Sequence, residues 1–441
     1  MPVARLRGLA GAAALLAGLP GAVAAASPVA PPPAVAAAPA DALANLRSGL
    51  EAMIAEGLLP NAQVAILKDG APVLRFSLGY SDMEAGRPLP DDAIFRLYSM
   101  TKPITSVAAM MLVEEGRLAI EAPVARYIPE FADMRVYESG GLDDMVTVPA
   151  DRPITIGDLL THGSGITYNF MGNSPVHQYY RRHGVMRSGG VGQGPDDAPP
   201  ARTMDELIAR LAKAPLLHQP GERFSYGNST GVLGVAVERA AGMGLDRFLK
   251  ERIFDPLGMV DTAFVVDDAR VRRLVTNYEA AETAMVPLES SQASEYRDRN
   301  RMFDGGGALA GTMDDYLRFA QMLANRGELG GKRLLRPETV DAMFTPRLAT
   351  GGQAHEDVLF GYGFGIGDAA SEARGGMPAG AGGWSGSANT YFFVHPRHNL
   401  VAVLMTNELI GQEFVERTVR LRGLLDRAAT QIIRTAGPET P

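Results

Sequence analysis

The two ends of this 441-residue chain carry the same pattern in opposite order, and that mirror arrangement narrows the possible folds sharply. Near the N-terminus Leu43, Leu46, Leu50, Met53 and Ile54 recur at helical spacing, and two extended stretches, 63–68 and 73–80, follow around Asp69-Gly70. An Asp-Gly pair favours the positive φ values of a tight hairpin turn. Near the C-terminus the order reverses. Stretches 390–395 and 400–406 read as strands, and Phe414, Leu421, Leu425, Ala428 and Ile432 then mark one face of a helix. A lone hairpin buries too little to stand by itself, so both are expected in one antiparallel sheet assembled from the two chain ends and flanked by the terminal helices. The interior, about 103–320, reads as a mostly helical lobe, giving an α/β fold of the α+β kind.

Outside that body the first residues read as a targeting segment. Arg5 and Arg7 precede the apolar run Leu9 to Ala26, which ends in Ala22-Val23-Ala24 or Ala24-Ala25-Ala26, so residues 1–26 are expected to be a secretory signal. Residues 27–40 are rich in proline and alanine and read as a tether, with the folded domain at 41–436. Removing residues 1–26 takes two arginines from a balance of 42 basic against 50 acidic residues, which leaves 40 against 50, or −10. That acidity disfavours nucleic acid and anionic membranes as partners. The chain has no cysteine, which excludes disulfides, thiol catalysis and thiolate metal sites. Its seven histidines show no His-x-His or His-Glu-x-x-His spacing, so neither a metal nor another cofactor is expected. The expected location is periplasmic or secreted.

Three stretches carry chemistry. In Ser99-Met100-Thr101-Lys102 an alcohol and an amine stand at i, i+3, on one face of the helix that Ile104, Val107, Met110, Met111 and Val113 outline. The preceding 93–98 reads as a short strand, so Ser99 is expected at a helix N-terminus, where unpaired N–H groups favour developing negative charge. An amine held unprotonated by burial could take the serine proton; taken alone, the pair also fits a helix-capping serine beside a solvated lysine. Tyr226-Gly227-Asn228 precedes a second helical pattern, and Trp384-Ser385-Gly386-Ser387 opens the strand at 390. Gly227-Asn228-Ser229-Thr230-Gly231 also matches the nucleophile elbow of α/β-hydrolases, but Pro220-Gly221 stands where a long buried strand is required. His162 reads as a structural hydrogen-bonder, Gly305-Gly306-Gly307 as a turn, Thr203 with Glu206 as a capping box, and the glycine- and proline-rich 184–200 as a surface loop or a lid.

The order Ser-x-x-Lys, Tyr-x-Asn, then a small-residue strand resembles the serine β-lactamase and penicillin-binding-protein superfamily. Further landmarks are Thr155 to Ile166, Phe254-Asp255-Pro256-Leu257-Gly258-Met259 and Gly361-Tyr362-Gly363-Phe364-Gly365, and the likeness runs from about Leu43 to Ile433. The resemblance implies a β-lactamase/transpeptidase-like fold. It further implies Ser99 as nucleophile, Lys102 and Tyr226 as proton carriers, Asn228 as a residue that orients the acyl group and holds Lys102, and Gly386 with Ser387 at the oxyanion site. Class C β-lactamases carry Lys-Thr-Gly in the third motif, where this chain has its single tryptophan, Trp384. That change is similar to the Trp-Gly-Gly of family VIII carboxylesterases, although Ser385 stands where glycine is usual. The expected function is a secreted carboxylesterase acting on small short-acyl or aryl esters. Alternatives are a class C-like β-lactamase, a D-Ala-D-Ala carboxypeptidase or D-aminopeptidase, and, least favoured, a binding protein that keeps the fold.

Overall fold

In a computed structural model the described residues are 39–188, 194, 196–281, 284–351, 358–409 and 415–435. The expected signal, most of the tether, His355, Phe414 and part of the 184–200 loop lie outside them.

The sheet joins the chain ends. Its strands are β1 (Asn61–Lys68), β2 (Ala71–Asp82), β3 (Arg87–Pro88), β4 (Leu348–Ala349), β5 (Leu359–Phe360), β6 (Gly365–Ile366), β7 (Gly382–Ser385), β8 (Tyr391–His395) and β9 (Leu400–Met405). They lie in the order β4-β5-β6-β7-β8-β9-β1-β2-β3, all neighbours antiparallel. The central seam pairs the two ends directly, with Gln63 opposite Met405 and Lys68 opposite Leu400. Asp69 and Gly70 take φ of 53° and 77°, the turn the sequence asks for.

Both faces of this sheet are covered, and the period of two decides which side chain serves which face. Val64, Ile66, Phe393, Ala402 and Leu404 meet Leu46, Leu50, Leu421 and Leu425 from the two terminal helices, α1 (Pro39–Ala55) and α5 (Val415–Thr435). Ala65, Phe392, Val394, Val401 and Val403 face the larger core. That core holds α2 (Thr101–Glu114), α3 (Ser229–Ala241) and α4 (Met313–Ala324). α4 packs on β8 and β9 and so belongs to the sheet's layer, which ends the lobe short of residue 320. The lobe is less purely helical than expected: it holds the hairpins Arg135–Ser139 with Val146–Pro149 and Asn277–Ala280 with Met285–Glu289. The capping expectation is met by half. Thr203 accepts from the Glu206 N–H, but the Glu206 carboxylate reaches Arg202, one residue beyond the cap.

α2 is not amphipathic. Every residue from Thr101 to Leu112 is buried, because the helix runs through the middle of the core. It is threaded there by the strand Ile94–Arg96, which pairs with Ala310–Thr312 and delivers the chain to Ser99.

Candidate active site

Between that strand and α2 the chain makes a tight 3₁₀ turn, Tyr98–Met100, with Ser99 at its centre and partly exposed. Tyr98 has a φ of +43°, a left-handed conformation that costs an aromatic residue of order 1–3 kcal/mol. It is held by a hydrogen bond that Asn277 Nδ2 donates to its hydroxyl at 2.9 Å. The kink lifts Ser99 out of the core while Lys102, one helical turn on, stays 1% exposed.

Oxygen acceptors hold Lys102, the Tyr226 side chain among them. Its Nζ donates to Ser99 Oγ at 3.0 Å, Tyr168 Oη at 3.1 Å and the Gly306 carbonyl at 2.7 Å. It also lies 4.7 Å from the centre of the Tyr226 ring. Burial, the largest influence, works against the ammonium, but the Tyr168 and Tyr226 phenols together outweigh it and raise the Lys102 pKa. The expectation of a depressed, unprotonated lysine is therefore corrected: the pocket is buried but lined with oxygen and π density that favour the cation. Tyr168 is pushed up to about 12, chiefly by burial.

Tyr226 stands at the wall formed by β7. Trp384 Nε1 donates to its hydroxyl at 3.3 Å, the two rings are 5.5 Å apart, and Phe360 meets the indole edge-on at 5.0 Å. Trp384 is 7% exposed and holds the tyrosine oxygen with its own N–H, besides making the wall apolar. Asn228 is turned elsewhere. Its Nδ2 donates to the Thr167 carbonyl at 3.0 Å, and among the described hydrogen bonds Lys102 is held by Tyr168 and Gly306 instead. The expected Asn228 grip on Lys102 is thus replaced by a fixed backbone contact.

β7 ends in a turn pressed against the strand before Ser99. A Cβ on Gly386 would fall 2.4 Å from the Leu97 carbonyl oxygen, so only glycine lets the two backbones approach. Its N–H donates to Thr390 O at 2.8 Å, which removes that amide from any oxyanion role; Ser387, next in the turn, is exposed. Asn389 closes the turn at φ +59° and is braced from behind by the Glu408 carboxyl at 3.3 Å, which burial pushes up to about 8.

Ser229, the serine of the competing elbow motif, is fully buried with its Oγ 2.8 Å from Ser164 Oγ, and no strand precedes it. His162 lies within 5.5 Å of the Phe224, Tyr226 and Phe360 rings and is kept neutral, its pKa driven down by burial and by Lys102. Sequence reasoning missed Tyr168 and Gly306. Tyr168 lies two residues beyond the landmark segment ending at Ile166, and Gly306 is the centre of the glycine triplet, so both carried a signal that spacing alone did not interpret.

A family model described as Beta-lactamase matches residues 46–426. This chain belongs to the beta-lactamase family. Within that family it is 36% identical over 362 residues to Protein Rv1367c of Mycobacterium tuberculosis, across 79% of this chain and 86% of that one. It is 33% identical over 389 residues to Esterase EstB of Burkholderia gladioli, across 82% and 91% of the two. Among solved structures it is similar to EstCE1, a hydrolase with promiscuous acyltransferase activity, with a TM-score of 0.73 and 25% identity over 88% of this chain and 99% of that one. The beta-lactamase-family chain is a serine hydrolase of the esterase and acyltransferase type. Among the described residues no helix is long and apolar enough to cross a membrane.

Proposed function

We propose that this protein is a carboxylesterase acting on small short-acyl or aryl esters through an acyl-enzyme on Ser99. The observation that carries the reading is Trp384: a buried indole, hydrogen-bonded to Tyr226, lines the wall where class C β-lactamases carry a lysine. A substrate carboxylate gains no ion pair there, and an uncharged ester loses nothing.

The residues take complementary roles. Ser99 Oγ attacks the ester carbonyl carbon as its proton passes to the Tyr226 oxygen, with the Lys102 ammonium above that ring and the Trp384 N–H on that oxygen. The amides of Ser99 and Ser387 take the developing oxyanion, a contribution of about 3–4 kcal/mol per donor. The C–O bond to the alcohol then breaks, the alcohol leaves with the proton from Tyr226, and water repeats the sequence on the acyl-enzyme to release the acid. An alcohol in place of water gives acyl transfer, the one alternative that the likeness to EstCE1 favours. The Arg5 and Arg7 pattern with its apolar run supports export of the chain.

The test is a hydrolysis panel of p-nitrophenyl acetate, butyrate and octanoate, nitrocefin and a D-Ala-D-Ala peptide, with Ser99→Ala as control. The short esters are expected to be the best substrates. Nitrocefin turnover exceeding that of every ester would replace this reading with the β-lactamase alternative.

A further inference from the structure

The shortest hydrogen bond described for Lys102 is to the carbonyl of Gly306, in a run of three glycines with no side chain of its own to hold it in place. Something else must fix that turn. The only side chain at its start is Asp304, 2% exposed, and it folds back over the glycines: its Oδ1 accepts the Gly306 N–H at 2.7 Å. Its own carbonyl takes the N–H groups of Gly307 and Ala308 at 3.2 and 3.1 Å. The carboxylate is packed from two sides, and the turn it holds is gripped from a third. Arg187 Nε stands 3.4 Å from Oδ2, α3 presents Gly231, where a Cβ would fall 2.7 Å from Oδ1, and α2 reaches the same turn through Thr105, whose hydroxyl donates to the Gly305 carbonyl at 2.8 Å. Gly231 is the last glycine of the false elbow motif, and its small size is explained by the carboxylate lying against it.

We propose that Asp304 is the positioning residue of the site: its side chain fixes the Gly305–Gly306 peptide through the Gly306 N–H, its main-chain carbonyl takes the N–H of the next peptide, and together they aim the Gly306 carbonyl at Lys102 and so keep Nζ on Ser99 Oγ. The inference rests on the reading of Ser99 as nucleophile and Lys102 as its partner. The physical case is that a glycine-rich turn has large backbone freedom, and the buried, charge-assisted hydrogen bond from Asp304 restricts it beside the Thr105 and main-chain bonds. Without that bond the Gly306 carbonyl drifts, the lysine loses its shortest described anchor, and the pair geometry that catalysis needs is lost while the substrate wall of Trp384 and Tyr226 is untouched. The expected signature is a fall in kcat with KM nearly unchanged.

Asp304→Asn keeps an oxygen acceptor for the Gly306 N–H, and Asp304→Ala removes it. With a short p-nitrophenyl ester, Asp304→Ala is expected to lose about a hundredfold in kcat, with KM within about threefold, and Asp304→Asn to recover most of that loss. Gly306→Ala approaches the same contact from the other side with a backbone that is not left-handed, its Cβ falling 3.1 Å from Oδ1. It is expected to lower kcat about tenfold at unchanged KM, and it carries the test if Asp304→Ala does not fold. Wild-type kcat in Gly306→Ala together with equal kcat in folded Asp304→Ala and Asp304→Asn would overturn the proposal. If Ser99→Ala retained full activity, the reading of the nucleophile would fail instead, and the two failures are told apart by that control.

Discussion

Two serines stand at the heads of two buried helices, and their surroundings differ in every respect that matters to reactivity. Ser99 precedes α2 on a left-handed kink, partly exposed, with a lysine ammonium at 3.0 Å. Ser229 opens α3 with no exposure, its hydroxyl 2.8 Å from that of Ser164, while the His162 imidazole meets the hydroxyl of Thr230 at 3.5 Å. The local sequences promise similar things, since each serine stands directly before a helical pattern. The difference teaches that a nucleophile is made by access together with a fixed proton path. A helix start supplies neither.

The largest effect should come from exchanging the roles directly. Ser99→Ala is expected to lower ester turnover at least about a thousandfold, while Ser229→Ala keeps most of it, and mass spectrometry after a fluorophosphonate should place the adduct on Ser99. An adduct on Ser229 would break the comparison. Next, Lys102→Ala and Tyr226→Phe should each cost about 10²-fold or more in kcat, and the double variant should cost little beyond either, because the two groups serve one proton path. Fully multiplicative losses would show that they act independently.

Smaller effects test the Ser229 side. Ser229→Ala leaves Ser164 Oγ without that partner in the core, so chemical denaturation should show a loss of about 1 kcal/mol in stability beside near-normal kinetics. The smallest effect concerns His162. Folded, it is held neutral, whereas in the unfolded chain an imidazole gains its proton near pH 6.5. The unfolded state therefore binds more protons below that pH, and stability falls as pH drops through and below 6.5. His177 and His218, also lowered chiefly by burial, act in the same direction. In His162→Gln the loss of melting temperature between about pH 6.5 and 5 should be smaller than in the wild type, and a steeper loss would contradict the assignment of a neutral, buried ring.

Much of the sheet was legible because its long strands are short apolar runs bounded by turn residues such as Asp69-Gly70, and β1, β2, β8 and β9 fall within a residue or two of the stretches so marked. The short strands β3 to β6 gave no such signal, since two residues are too few to show a period. The site divides in the same way. Ser99 with Lys102 is a local spacing on one helix, and Trp384 with Tyr226 could be named only through the motif order, because 158 positions separate them.

What the sequence determined by itself is the list of chemically able residues and the sheet built from both chain ends, since helical spacing, apolar runs and turn residues act over a few positions. Tertiary structure decided the rest. It alone buried Lys102 among phenols that keep it cationic, turned Asn228 toward Thr167, engaged the Gly386 amide in its own turn and brought Gly306, 204 positions away, onto the lysine. The reason is physical: charge state and hydrogen-bond partners depend on how many polar groups share a dry volume, and that volume exists only after distant segments have packed.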